Sequence, residues 1–300
     1  MSSTARPDDG GTSNPSGPSN PSGPSAHGSA AADPLASLAA LPGVPEAVES
    51  VRGSVDRVYG HRVMRRRSSE VSAEAALRGA RATAASEGVD WALEEVRRRS
   101  DFGVEPQART VGAGLRVTAE AGQLLDIWQQ SPLRVLARLH LVAAGGVAPE
   151  GTVGRPRRPG EPVDGPELGL ELPGADEVAA RLDGLAQLIT GGTAAPALVT
   201  SSVVHGELQV LRPFGSYNGQ VARAAERVVL VGSGLDPKAV CPAEVGHAEL
   251  GREAYLTALR GYASGTPEGV TQWIAHCGRA VELGVRESTA VCEAMQRGAA

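Results

Sequence analysis

The chain reads as an all-α protein, and three observations carry that reading. Apolar side chains recur at helical spacing, as in Val48, Val51, Val55, Val58 and Tyr59, where a half-buried strand would alternate at every second residue. Prolines open the periodic segments, at Pro45, Pro106, Pro132 and Pro196, where a first helical turn has no use for the missing N–H. With 300 residues and 41% hydrophobic content the chain can bury a sizeable core, and 3% aromatics leave Ala, Leu and Val to fill it.

In chain order, the spacing predicts a first helix over 45–66. A second covers 71–87 and stops at Gly88, the residue type that most easily takes the left-handed conformation after a last turn. Helices over 91–99, 106–130 and 132–143 follow with short breaks. Residues 147–173 are rich in Pro and Gly and read as a loop. Helices over 176–189 and 196–211 come next. The latter contains the β-branched run Val199-Thr200-Ser201-Ser202-Val203-Val204, which prefers strands, and Pro196 at a first-turn position decides for helix. A helix over 221–231 ends at Gly232-Ser233-Gly234 with Pro237 beyond. Amphipathic segments around Tyr255–Leu259 and Val270–Ile274 complete the run. Residues 1–32 are low-complexity, and within them residues 14–24 repeat a Pro-Ser-Gly unit with no apolar residues to bury, so the expected organisation is a disordered tail over 1–32 and a helical domain over 33–300.

Composition sets aside several functions. The tail lacks the basic start and apolar core of a signal peptide, and no run of about 20 apolar residues exists to span a membrane. Arg65-Arg66-Arg67, Arg97-Arg98-Arg99 and Arg155-Pro156-Arg157-Arg158 are basic clusters. A net charge of −5, without aromatics between them, reads as solvated faces or linker rather than a nucleic-acid surface. Cys241, Cys277 and Cys292 are odd in number and lack metal-ligand spacing, which fits reduced thiols in a cytoplasmic protein. His61, His140, His247 and His276 stand apart from one another and from the cysteines, so each reads as structural and no metal site is expected. Ser201 and Ser202 near His205 have no acid partner or nucleophile elbow.

The densest chemical signal is Leu211-Arg212-Pro213-Phe214-Gly215-Ser216-Tyr217-Asn218-Gly219-Gln220-Val221-Ala222-Arg223. A tight turn ending in Asn-Gly and leading into a helix is an anion site, because the first N–H groups lack intrahelical partners and the macrodipole favours negative charge. Arg223, in the first turns, places a guanidinium near the same anion. Phe214 is one of two phenylalanines, and both a loop anchor and plain packing account for it. Upstream, Thr83-x-x-x-Glu87-Gly88 puts Thr83 and Glu87 on one helix face, with Glu87 at the end where the macrodipole disfavours an anion and a cationic partner would help.

These two motifs resemble those of the Fic/Doc (Fido) family, whose all-α members carry His-Pro-Phe-x-Asp/Glu-Gly-Asn-Gly-Arg-x-x-Arg between two helices. Most of them transfer AMP from ATP to a hydroxyl of a target protein. The chain keeps Pro213, Phe214, Asn218, Gly219 and the last Arg as Arg223. It departs at Arg212 for the catalytic His, Ser216 for the metal-binding acid, Tyr217 for the first Gly and Gln220 for the first Arg. Thr83-x-x-x-Glu87-Gly88 is similar to the family's inhibitory helix, in which the Glu pairs with the last Arg of the loop and blocks the γ-phosphate. The resemblance covers roughly residues 45–298. A flap that docks the target backbone as a strand is expected within residues 165–172 on the same grounds, and a plain surface loop fits that segment equally.

Those departures bear on chemistry. Arginine, with a pKa above ~12, offers no lone pair as a general base. Serine is a poor substitute for a carboxylate on Mg²⁺. Tyr217 places a ring where glycine admits backbone close to phosphates. His205 lies two helical turns before Arg212, roughly 10 Å away at ~1.5 Å per residue, too far to stand in for the base. The expectation is an impaired Fic protein that keeps a nucleotide or phosphate pocket at Asn218, Gly219 and Arg223, with Glu87 inhibitory, ATP or another nucleotide as ligand and Mg²⁺ weakly supported. A protein target or regulatory partner would follow. An active adenylyltransferase working through a non-standard loop, and a helical interaction protein without ligand, remain the other readings.

Overall fold

The computed structural model describes residues 33–164 and 167–298, and the expected tail over 1–32 lies outside the described residues. Among those described, every regular element is helical. In chain order they are α1 (Pro34–Ala39), α2 (Val44–Tyr59), α3 (Met64–Ser86), α4 (Leu93–Arg98), α5 (Pro106–Ala121), α6 (Leu125–Trp128), α7 (Pro132–Ala144), a 3₁₀ turn at Glu150–Thr152, α8 (Ala175–Gly191), α9 (Ala197–Leu211), α10 (Asn218–Gly232), α11 (Ala243–Leu250), α12 (Arg252–Ala263) and α13 (Pro267–Gln296).

Local chemistry accounts for most boundaries. Proline opens α1, α5, α7 and α13, and the Thr266 hydroxyl caps α13 by accepting from the Gly269 N–H at 3.2 Å. Helix α3 ends in a Schellman turn: Val89 N–H reaches the Ala84 carbonyl, Gly88 N–H reaches Ala85, and Gly88 is left-handed at φ 89°. The β-branched run in α9 is helical because burial outweighs propensity there.

Three expectations need correction. The helix expected over 45–66 stops at Tyr59, where Gly60 closes the last turn and His61 Nδ1 accepts from the Val63 N–H, a side-chain bond that competes with the helix ladder. The helix expected over 106–130 breaks after Ala121 at Gly122 and resumes as the single turn α6. Helices α1 and α11 were not foreseen. The first is tied down by Asp33, whose carboxylate caps Leu35 at 3.0 Å and accepts from Thr193 and Ala194 across the fold.

Helices α9 and α10 form a buried central hairpin, and α9 is apolar on nearly all sides, as a helix surrounded by others must be. On one flank, Leu198, Val199 and Val210 of α9 join a core with α2, α12 and α13 around Trp273 and Ile274. On the other, Val204, Leu208 and Leu211 join α5, α7 and α8 around Leu136, Leu139 and Phe214. Helix α11 approaches α13 so closely that a Cβ on Gly246 would collide with the Ala280 backbone. The connection between α9 and α10, residues 212–217, is therefore held between two packed cores.

Candidate functional site

The chain leaves α9 through Arg212 (φ 43°) and enters α10 through Tyr217 (φ 56°), two of the three non-glycine residues in left-handed backbone among those described. Within this turn Asn218 ties the loop to itself: its Oδ1 accepts from the Phe214 N–H at 2.9 Å and its Nδ2 donates to the Phe214 carbonyl at 2.8 Å. Phe214 is buried and stacks on His140 with ring centroids 4.1 Å apart, while His140 Nδ1 accepts from the Gly154 N–H at 3.0 Å. Phe214 thus anchors the loop and packs the core together.

Burial pushes His140 down to about 4, with the Ser216 backbone opposing it. A histidine whose folded pKa is depressed takes up its proton more readily unfolded, so its contribution is complete above the unfolded value near ~6.5 and is lost as pH falls toward 4. Urea midpoints should therefore fall across that window, and His140→Gln, which keeps an acceptor for Gly154, should remove this share of the slope. Parallel pH profiles for the two proteins would refute the assignment.

At the other side of the loop a cavity of about 1080 Å³ opens between the end of α3, the start of α10 and helices α11 and α12. Glu87 and Arg223 meet across it, Arg223 Nη2 donating to Glu87 Oε1 at 2.5 Å with both side chains largely buried. Arg223 Nε also donates to the Thr83 hydroxyl at 3.3 Å, and Nη2 to the Thr83 carbonyl at 3.2 Å. Both ends of the Thr83-x-x-x-Glu87 spacing therefore grip one guanidinium. Gly219 makes this possible: a Cβ there would collide with Glu87 Oε1 and lie 3.2 Å from the Arg223 guanidinium. The Glu87 carboxylate thus sits against the N-terminus of α10.

Arg212, which also borders the cavity, is tied to the long loop. Its Nη2 donates to the carbonyls of Leu170 and Glu171 at 3.0 Å each, so it fastens the 167–173 segment to the loop. Arg157 does more of the same: its backbone N–H reaches the Pro213 carbonyl at 2.7 Å, and its guanidinium donates to the carbonyls of Arg212, Leu211 and Pro173. A cation on the orphan carbonyls at the end of α9 is favourable. Arg157 was expected on a solvated face or linker and is instead buried, because the long loop folds back over the α9 terminus. No strand forms in residues 167–172; Gly165 and Pro166 of the expected flap lie outside the described residues.

No family model matches the sequence, and no curated protein matches it. The fold has clear counterparts. A Fic family protein from Desulfovibrio desulfuricans G20 superposes with a TM-score of 0.66 at 21% identity, covering 83% of this chain and 75% of that one. Fic-1 (residues 134–508) from C. elegans gives 0.59 at 16%, covering 84% and 73%. A Fic domain containing signaling protein from Bacteroides thetaiotaomicron VPI-5482 gives 0.59 at 11%, covering 82% and 98%.

The chain has the Fic fold.

Within that Fic fold the residues read from the sequence separate into two groups. Glu87, Arg212, Asn218, Gly219 and Arg223 all line the one cavity. Gln220, at the position of the Fic loop's first Arg, does not: it is buried against α5, where its Nε2 donates to the Thr110 carbonyl at 3.0 Å and its Oε1 has no partner.

The histidines read as standing apart need correction. His205 of α9 and His247 of α11 converge on Glu226 of α10, at 2.8 and 3.0 Å from its Oε2, and His276 lies 3.4 Å from His247. Burial pushes the Glu226 carboxyl up, but His247 and His205 outweigh it and hold the group well below the usual carboxylate range. No sequence spacing signals this cluster, since each member sits on a different helix.

Proposed function

We propose that this chain is a Fic-type protein that receives the phosphates of a nucleotide, ATP or a relative, at the N-terminus of α10, and that is impaired in group transfer. The observation that carries the reading is the Glu87 carboxylate lodged against Arg223 and Gly219. An anion of this chain already occupies the place that unpaired N–H groups, the macrodipole and a guanidinium prepare for one. With Glu87 displaced, Gly219 leaves room for backbone to approach a phosphate and Arg223 gains a free face. The cavity volume of about 1080 Å³ is at the upper end of ordinary ligand pockets, roughly 300–1,000 Å³.

Impairment follows from two positions. Arg212 cannot accept a proton, and its guanidinium is engaged by Leu170 and Glu171. Ser216 supplies no carboxylate for Mg²⁺, so the residues present do not fit that ion at the family's place. The Fic-type reading implies a protein target or regulatory partner.

Calorimetric titration with ATP and AMP, with and without Mg²⁺, tests the pocket. Glu87→Gly should bind ATP at least about tenfold more tightly than the parent, or ~1.4 kcal/mol. Arg223→Ala in that background should return affinity to the parent level or below, and Mg²⁺ should change neither. Equal affinity in the parent and Glu87→Gly, or binding indifferent to Arg223, would sink the proposal.

A further inference from the structure

Four helices of the central core converge on one buried point. His205, Glu226, His247 and Cys277, from α9, α10, α11 and α13, each bring one ligating atom to within 4.8 Å of the others, and all four side chains are buried. Both imidazoles address the same oxygen, Glu226 Oε2, while Glu226 Oε1 is buried without a hydrogen-bond partner. We propose that this cluster is a binding site for a divalent transition metal in tetrahedral coordination, with zinc the best match.

The donor set argues for that class of ion. Two imidazole nitrogens, one carboxylate oxygen and one sulfur suit zinc, whereas Mg²⁺ and Ca²⁺ take oxygen ligands. Charge argues the same way. A Glu226 carboxylate and a Cys277 thiolate with two neutral imidazoles carry two negative charges, so a divalent ion leaves the buried assembly neutral. Bonds of about 2.0–2.3 Å in a tetrahedron space the donors roughly 3.3–3.6 Å apart. The His–Glu contacts, at 2.8 and 3.0 Å, would then open by a few tenths of an ångström, and donors now up to 4.8 Å apart would close in.

Each histidine also has an outer partner that fixes its ring. His205 Nε2 lies 2.9 Å from the Tyr255 hydroxyl, and His247 Nδ1 lies 3.4 Å from His276 Nε2. Such partners set the tautomer and orient a metal-binding imidazole. Trp273 closes the shell, its ring 5.3 Å from His205. His247 and Tyr255 also line the cavity, which gives the ion a way in. The competing account is a proton-sharing network in which two imidazole N–H groups donate to Oε2. In that account Cys277 is a core side chain and not a ligand.

The test uses the full chain without an affinity tag. Dialysed against zinc and then against buffer, it should retain one equivalent by elemental analysis. Cobalt should give tetrahedral d–d bands and a thiolate-to-cobalt charge-transfer band. Cys277→Ser should abolish the charge-transfer band, and Tyr255→Phe, which keeps all four ligands, should weaken affinity about 10–100-fold. Zinc should raise the melting temperature of the parent and not of Glu226→Gln; if that variant does not fold, the Cys277 and Tyr255 variants carry the test. A folded parent that takes up neither metal overturns the proposal in favour of the proton network. Cobalt bound with unchanged spectrum in Cys277→Ser places the ion elsewhere and overturns it too.

Discussion

Neither the parent chain nor Glu87→Gly should transfer AMP from ATP to any protein, whereas returning the departed loop residues in the Glu87→Gly background should give Mg²⁺-dependent transfer. The combination is Arg212→His, Ser216→Asp, Tyr217→Gly and Gln220→Arg, and it rests on the proposed Fic-type reading. A general base is typically worth about 10²–10⁴ in rate, so even partial recovery stands above a true zero. The backbone favours two of the changes. Histidine is among the residues enriched at positive φ, which Arg212 already adopts, and glycine at 217 relieves the left-handed strain that Tyr217 carries.

Gln220→Arg is the costly member, because a longer cationic side chain must leave the pocket against Thr110 that Gln220 fills. The triple variant without it should be the more stable and the quadruple the more active once folded. Incorporation of labelled AMP, abolished by Arg223→Ala, is the measurement. Strong labelling by the parent chain would mean that the loop transfers AMP without the histidine. A folded revertant that binds no nucleotide would count against the pocket itself and favour an interaction protein without ligand.

Replacing Arg227 alone by methionine should cost about 3–5 kcal/mol of stability, while Arg227→Met with Glu244→Met should cost far less. The pair is buried and bidentate, Arg227 Nε and Nη2 donating to Glu244 Oε1 and Oε2 at 2.8 and 2.9 Å. Burial pushes the Arg227 guanidinium down, and Glu244 more than restores it. Removing one partner leaves a charge in a place without water, whereas removing both removes that penalty as well. Helix α3 seals the pair through Gly79, where a Cβ would lie 2.7 Å from Arg227 Nη2. Urea denaturation of both variants checks this; equal losses would mean that packing, not charge, holds the site.

The Glu87–Arg223 contact was legible in the chain because both ends lie in short local patterns. Thr83-x-x-x-Glu87-Gly88 fixes a helix face and its stop, and Asn218-Gly219 with Arg223 fixes a helix start with a cation one turn in. The site's supporting shell was not legible. Arg157 sits in a Pro- and Gly-rich stretch that looks like linker, and only the fold lays it on the α9 carbonyls. The breaks at Gly60 and Gly122 are not legible because apolar spacing continues across them and glycine within a helix is tolerated.

By itself, then, the sequence determined the helical class, most helix positions and the tight turn into α10, all of which depend on interactions among residues a few positions apart. Tertiary structure alone decided the direction of Arg212, the burial of Gln220 and the meeting of His205, Glu226, His247 and Cys277. Those outcomes depend on how four or five helices pack, and a single helix's pattern records which of its faces is buried without recording what that face will meet.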